Sequence, residues 1–598
     1  MDTETVKGLR YVLPILIFSV LVHGYIISEF KQLPGPMYGG DVYWHYGRSL
    51  NIYNGAYPWE NPQVSGEYEY FGWLHHLIIA TIAKVFGIDL LTSYNYLPVI
   101  MAIPSVITWY VFGLLLFRDY RFALLMSLMF LEPKGISGLA SDVLTPLALL
   151  FVFLAMRTKK IKDRIVAGIF CGLSGISYVS AFPSLVVVMA VLFAYMSVIK
   201  HLKVNLNASD MRISLLRDED KEIVRDVKEN FAILFPIGLI GLAISMLLFG
   251  PVLFVYKAHI PNPVNEYTLP DFSKYGTDVA IALIEGSFLD VPALMNGDIF
   301  KFVISIMTLI GLYVVIKNRK NDVECFIFVL VLSAFVGGLH YFVTEPVIGS
   351  TVIPTYLFAQ IMRTSTPLLF VSAVAFLMGK KPQFGSIIVA LSVIFMLLVL
   401  MISLNARYYG RWETMARSEA NPAITEIAEW IDGNTDKNAV FISHEELSFL
   451  VNGLTARKVV TSRRTHFSPY LDINKRIADA VVVLYGDNEY KIEELIRQYN
   501  ISYLYWDVNW PYFAKNEPPM TVPEYEHQLT ENGVKFQKVN AYLNPAYSPE
   551  NPKYDMLAVF PAKDDLTQPW SDAFSKHITP AKTFTINGKV FAIIFKVA

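Results

Sequence analysis

The sequence predicts a polytopic α-helical membrane protein, a bundle of about 11–13 transmembrane helices carrying a C-terminal extracytoplasmic α/β domain. Three observations predict it. Of 598 residues, 54% are hydrophobic and 17% charged, a balance too apolar for an ordinary soluble enzyme. Apolar runs of membrane-crossing length recur from Tyr11 to about Leu404, whereas the remainder reads as water-soluble. Lysine and arginine clusters beside those runs give them a direction. The net charge of −2 offers no basic face, so no nucleic-acid partner is expected. The only cysteines, Cys171 and Cys325, both fall in apolar spans. That placement argues against a disulfide framework and against a cysteine metal site.

The first helix, roughly Tyr11 to Ile27, follows Lys7 and Arg10 and precedes no cleavage-like segment, so it reads as an anchor. The next apolar stretch, Trp73 to Phe86, is short and carries His75, His76 and Lys84. Laid at the outer interface, it leaves Arg118/Arg121, Arg157–Arg164, Lys200–Lys203, Lys317–Lys320 and Lys380/Lys381 all inside. Further spans are then expected near 94–117, 121–133, 141–157, 164–179, 181–199, 230–255, 299–317, 323–343, 352–379 and 385–404. The expected product is a multi-pass cell-membrane protein with a cytoplasmic N-terminus. Its transmembrane part, 1–404, has outer loops 31–72, 131–141 and 257–300. The stretch His201 to Asn230 is a cytoplasmic loop, which puts the sequon Asn207-Ala208-Ser209 on the wrong side for glycosylation.

From 405 to 598 the pattern becomes that of a soluble α/β domain outside the membrane. Asn421-Pro422 can open a helix as cap and first residue. Ile424, Ile427, Ala428 and Ile431 follow at helical spacing, and Gly433 can end it. Ala439 to Ile442 reads as a buried strand, Lys491 to Tyr499 as a helix and Ile501 to Trp506 as a strand. Such alternation argues for a sheet with helices packed on it. Thr583 to Ile586 and Val590 to Phe595 flank Asn587-Gly588, a strong two-residue hairpin signal.

Charged groups near the outer membrane face are the informative ones, because holding them beside a bilayer is costly unless they are used or solvated. In Gly39-Gly40-Asp41-Val42-Tyr43-Trp44-His45-Tyr46-Gly47-Arg48 the glycines permit a sharp turn. Asp41, His45 and Arg48 then share one face if a helix follows. The carboxylate can hold a divalent cation or polarise an acceptor, and the two cations can meet an anionic leaving group. An interfacial amphipathic helix with its polar side in water explains the same spacing. Asp142 opens a transmembrane helix, where a carboxylate also serves as a cap. Glu132 and Lys134 in the same short loop read as a solvated pair. Arg363 lies in the apolar stretch Tyr356 to Gly379, where a buried guanidinium suits a lipid-linked phosphate and a snorkelling arginine is the structural alternative. Glu67, Glu69, His75, His76 and Glu285 are weaker candidates. No nucleotide loop, zinc motif or nucleophile elbow stands out.

Taken together, four segments resemble the C-type (GT-C) glycosyltransferase superfamily, most of all the archaeal oligosaccharyltransferase catalytic subunit. Asp41-Val-Tyr-Trp-His45-Tyr-Gly-Arg48 is similar to the first-loop acidic motif, whose aspartate binds metal and acceptor. Gly135 to Met156, with Ser141-Asp142, is similar to the second acidic motif and its helix. Ala359 to Leu369 is similar to the stretch whose arginine, here Arg363, contacts the donor's phosphate. Ala423 to Val460 is similar to the start of the family's outer domain. There are departures too. Where the family's Trp-Trp-Asp-Tyr-Gly signature should follow Ser443, the chain reads His444-Glu445-Glu446-Leu447-Ser448. In the second acidic motif Ser137-Gly-Leu-Ala140 replaces a further Asp or His, so only Asp142 matches. Glu266 and Glu285 are unsupported candidates for the third-loop glutamate.

The resemblance implies an integral-membrane glycosyltransferase. It would move a sugar or oligosaccharide from a polyprenyl (dolichyl-type) phosphate or diphosphate to an acceptor protein, lipid-linked glycan or surface polymer. Asp41 and Asp142 would be catalytic and hold a divalent cation, Mg²⁺ or Mn²⁺. Arg363, with His45 and Arg48, would bind the donor phosphate. A non-catalytic, oligosaccharyltransferase-like glycan-binding or assembly subunit is the alternative. A transporter fits less well, since no inverted repeat or pair of broken helices is visible.

Overall fold

The computed structural model describes residues 3–131, 138–207, 210–215, 220–259, 261, 298–340, 342–343, 347, 359–542, 553–565 and 567–598. The chain forms two compact units. One comprises Met1–Ile27, Tyr96–Leu248 and Glu266–Tyr408; the other comprises Ser28–Asn95, Phe249–Asn265 and Tyr409–Ala598.

The first unit is helical because its sequence is apolar around whole helical turns. In a bilayer such a segment must satisfy its own backbone hydrogen bonds. Among the described residues, seven helices are long and apolar enough to cross a membrane: Arg10–Ser28, Leu90–Phe117, Leu139–Thr158, Ala181–His201, Lys221–Val255, Ile299–Lys317 and Pro382–Tyr408. Ile161–Ser177, Asp322–Gly338 and Ala359–Lys380 add shorter or more polar helices at expected positions. The protein is therefore a multi-pass membrane protein. The span expected near 121–133 is a nine-residue helix, Tyr120–Leu128, buried from Phe122 onward. At about 1.5 Å per residue it covers roughly half of a 30 Å hydrocarbon core.

Outward faces are apolar at helical spacing. Ile387, Leu391, Ile394, Leu398, Met401 and Ile402 are all exposed along one helix, the stripe a lipid-facing helix requires. Inward faces use small residues instead. A Cβ added to Gly172 would lie 2.5 Å from the Cβ of Ile244, and one added to Gly168 2.7 Å from that of Ile240. This Gly-x-x-x-Gly spacing lets two helices approach closely where lipid supplies no hydrophobic drive.

The second unit has an aqueous-type core. Five strands lie in the order Lys458–Val459, Val440–Ile442, Ile501–Asp507, Lys589–Val597, Ile578–Ile586. The first three are parallel and the last two antiparallel to their neighbours. A second, antiparallel sheet orders Met520–Thr521, Lys553–Val559 and Phe536–Tyr542. The Pro422–Asn434 helix starts where its sequence says, with the Asn421 side chain accepting the Ala423 N–H at 3.1 Å. It runs one residue past Gly433 and ends where Thr435 turns extended. At the final hairpin Asn587 and Gly588 both take positive φ, 52° and 76°, as a type I′ turn demands.

Residues 31–72, expected as the first outer loop, fold into this unit. Asp41–Tyr53 is a helix packed against the Glu445–Thr455 helix, and Leu74–Phe86 is a second, 13-residue helix beside it. The closest approach is at Gly47, where an added Cβ would meet the Asn452 carbonyl oxygen at 2.8 Å and Gly453 Cα at 3.0 Å. Alanine normally favours a helix interior over glycine by about 1 kcal/mol. Here the clash is with backbone, which cannot rotate away, so Gly47→Ala is expected to destabilise the unit by about 1–3 kcal/mol. Thermal unfolding of the detergent-purified protein checks the sign; a gain in melting temperature would refute this packing.

Candidate functional site

The Gly39-Gly40 pair turns the chain into a helix whose first residue is Asp41. Gly39 sits at φ +67°, and Gly40 occupies the cap position without a capping side chain. A carboxylate at the first helical residue complements the helix dipole. Its side chain is 81% exposed, yet Oδ1 accepts a 2.7 Å hydrogen bond from His466 Nε2. That bond, more than any other influence, holds the Asp41 carboxyl below the usual carboxylate range.

His466 is itself fixed by aromatic packing. Its ring stands edge-on to Trp44 (5.5 Å) and Phe449 (5.1 Å), and Trp44 Nε1 donates to its carbonyl oxygen at 2.8 Å. Burial keeps the imidazole below its ordinary value, so at neutral pH it is a neutral donor to an ionised Asp41. Sequence reasoning missed His466. The basic run Arg463-Arg464-Thr465-His466 was its only signal, and nothing local ties that run to Asp41.

Along the same side of the helix the environment passes from water to core. His45 Nδ1 lies 3.3 Å from His76 Nε2, and the two rings stack at 5.2 Å. Arg48, 3% exposed, faces Glu69, 2% exposed, with Nε 3.2 Å from Oε2, and its guanidinium lies 3.3 Å above the Trp44 ring centre. Glu69 is held in turn, its Oε1 accepting the N–H groups of Tyr70 and Phe71 at 2.8 and 2.9 Å. Beside the pair is a small cavity of about 10 Å³, lined among others by Asn51, Trp73 and His76. Glu67 accepts from the Tyr256 hydroxyl at 2.9 Å.

Asp142 and Arg363 belong to the membrane unit. Asp142 is not at a helix cap: it lies inside a π-helical turn, Leu139–Leu144, that runs into the Thr145–Thr158 helix. Its side chain is 2% exposed, and Oδ1 accepts from Ser141 Oγ at 2.7 Å. Single π turns inside helices are enriched at functional sites. Arg363 falls in the Ala359–Lys380 helix, and its side chain lies outside the described residues. So do Glu132, Lys134, Ser137, Glu266 and Glu285.

The segment His444–Ser448 forms the start of the Glu445–Thr455 helix. His444 Nδ1 accepts the Glu446 N–H at 3.4 Å, and Ser443 Oγ donates to the Tyr505 carbonyl at 2.6 Å. Burial raises the Glu445 carboxyl to about 8 and that of Glu446 to about 7. Glu446 faces Arg463 at 3.3 Å, and Arg463 Nη1 donates to the Gly39 carbonyl at 2.9 Å.

No family model matches the chain. The oligosaccharyltransferase of Archaeoglobus fulgidus, in its apo form, superposes with a TM-score of 0.50 at 12% identity over 97% of this chain and 80% of that one. ArnT of Cupriavidus metallidurans gives 0.46 at 10% identity over 92% and 98%. A Methanocaldococcus jannaschii protein described as uncharacterized is 28% identical over 126 residues, 20% of this chain and 93% of its own. The chain thus has the fold of the GT-C membrane glycosyltransferases, with the archaeal oligosaccharyltransferase as a structural neighbour.

The Glu445 carboxyl provides a test of the helix start. Its folded pKa lies above the ordinary 4.5, so the folded protein holds that proton more tightly than the unfolded chain. Stability is therefore lost as pH rises from about 4.5 to about 8. Glu445→Gln is expected to raise the melting temperature at pH 8 and to change it little at pH 4.5. Equal shifts at both pH values would exclude ionisation as the cause.

Proposed function

We propose that the protein is a GT-C-type glycosyltransferase that moves a sugar or oligosaccharide from a polyprenyl (dolichyl-type) phosphate or diphosphate to an acceptor on the outer face of the cell membrane. The observation that carries this reading is Asp41: a solvent-open carboxylate at a helix start, oriented by a neutral histidine, in a chain with the fold of an oligosaccharyltransferase. The acceptor's nucleophilic oxygen or nitrogen attacks the anomeric carbon. The bond from that carbon to the phosphate oxygen breaks, and the electron pair leaves on the phosphate. Asp41 orients the nucleophile and receives its proton, and Arg363 balances the departing phosphate's charge. His45 and Arg48, expected at the donor phosphate, would act from behind by holding the Asp41 helix, since Arg48 is paired with Glu69 and burial keeps His45 neutral. On this proposal the N-terminus lies in the cytoplasm and Asp41 acts outside, the orientation that the lysine and arginine clusters favour.

A divalent cation, Mg²⁺ or Mn²⁺, fits the carboxylates present. His466 takes only Oδ1 of Asp41, which leaves acceptor capacity on an exposed carboxylate, and hard oxygen donors suit such ions. Asp41 would supply a ligand, and the ion would neutralise charge on the donor phosphate. The Archaeoglobus fulgidus oligosaccharyltransferase has itself been crystallised as a complex with zinc and sulfate. A second reading, a glycan-binding or assembly subunit without catalysis, draws on the buried acidic helix start that stands where the family carries its acceptor signature.

The test incubates the purified chain with labelled polyprenyl-phosphate and polyprenyl-diphosphate sugars and follows label into protein, lipid-linked glycan and polymer acceptors. Asp41→Asn is expected to lower transfer about 10²–10⁴-fold with an unchanged melting temperature. Normal transfer in that variant sinks the assignment, and donor binding without turnover in the wild type favours the second reading. In the wild type the acid limb of the rate profile should lie below the ordinary carboxylate range. His466→Ala removes the bond that lowers Asp41 and leaves burial, which raises it, so the limb should move to higher pH.

A further inference from the structure

We infer that His45, His75 and His76 form a transition-metal site, separate from the carboxylates of the proposed reaction and suited to Zn²⁺. One ring nitrogen from each of the three lies within 4.8 Å of the others. His75 and His76 are 0% and 1% exposed, and the three come from two helices, Asp41–Tyr53 and Leu74–Phe86.

The Ser49 hydroxyl lies 3.2 Å from the His45 carbonyl oxygen and 3.0 Å from His76 Nδ1. When its one proton goes to the carbonyl, its oxygen accepts from a proton on His76 Nδ1. The neutral ring then presents the lone pair of Nε2 toward His45. A zinc ligand whose other nitrogen donates to a hydroxyl or carbonyl is the arrangement that orients imidazoles at metal sites.

The spacing fits too. Two nitrogens at about 2.0–2.1 Å from a tetrahedral Zn²⁺ are about 3.3–3.4 Å apart. His45 Nδ1 and His76 Nε2 stand at 3.3 Å. The adjoining charges cancel, since Arg48 faces Glu69 at 3.2 Å, so a dication meets no uncompensated cation. The small cavity that Arg48 and His76 line has space for about one water. Among the described residues the Arg48 guanidinium Nη1 and Nη2 have no hydrogen-bond acceptor, and such a water or hydroxide gives them one. The ion would tie the helix that carries Asp41 to its neighbour.

The experiment uses the full-length chain in detergent, stripped with chelator and dialysed against Zn²⁺ or Co²⁺ alone. Elemental analysis should give one Zn²⁺ per chain, and bound metal should raise the melting temperature. His45→Gln, His75→Gln and His76→Gln should each abolish that equivalent. Ser49→Ala should weaken it about 10–100-fold, and Asp41→Asn should retain it. Co²⁺ in the wild-type chain should show the intense visible bands of a tetrahedral nitrogen/oxygen site, a reading that needs no variant to fold. No stoichiometric Zn²⁺, an octahedral Co²⁺ spectrum, an equivalent that survives the histidine variants, or its loss in Asp41→Asn would each overturn the site. None of these outcomes bears on whether the chain transfers sugar.

Discussion

Burial of Arg48 between Glu69 and Trp44 fixes the rotation of the helix that begins at Asp41. A guanidinium with 3% exposure cannot leave its carboxylate without stranding two charges in a dry interior. Gly47, one residue earlier, lies against the backbone of Asn452 and Gly453, so the helix can neither slide nor turn. At 3.6 residues per turn, residues 41, 45 and 48 fall along one side. With its far end locked in the core, its first residue is held at the surface. The exposure of Asp41 is thus a consequence of the burial of Arg48.

The two units solve different problems with the same chemistry. In the membrane unit the outward stripe of a spanning helix is apolar, and close helix contact comes from glycine. Polar groups such as Asp142 are kept inside, where a neighbouring hydroxyl answers them. In the other unit charge is admitted to the interior only when paired or heavily hydrogen-bonded. Arg457, at 1% exposure, donates to Thr435 Oγ1 at 2.9 Å and to the carbonyls of Thr455 and Ile431 at 3.0 and 3.2 Å. It thereby joins the end of one helix to the strand edge that follows another.

Much of this was readable in the residues themselves. Hydropathy located the long helices, because a 30 Å apolar core imposes a length that few other contexts demand. Asn421-Pro422 and Asn587-Gly588 marked their cap and turn because each constraint is local. The face shared by Asp41, His45 and Arg48 followed from helical spacing alone. What spacing could not give is depth: which of the three is wet and which is buried depends on Glu69 and the histidine helix packing from outside. His466 was invisible for the same reason. It meets Asp41 across 425 residues of sequence, and no local pattern encodes such a contact. The strands Phe536–Tyr542 and Lys553–Val559 went unread because Gln537, Lys538, Asn540 and Asp555 interrupt their apolar alternation.

The helix start at His444–Ser448 shows how a segment can depart from the oligosaccharyltransferase pattern and still bear on the proposed site. Its carboxylates face inward, so they are not placed to meet an acceptor from solvent. Glu446 instead holds Arg463, Arg463 holds the Gly39 carbonyl, and Gly39 makes the turn that delivers Asp41. Three residues beyond Arg463, His466 grips the Asp41 carboxylate itself. The segment thus reaches the Asp41 loop at two points through one short basic turn. A change of charge at Glu446 would be felt first as a loss of order in the Gly39–Asp41 turn. Because Arg48 independently anchors the far end of the helix, that loss would be confined to the one carboxylate that faces water.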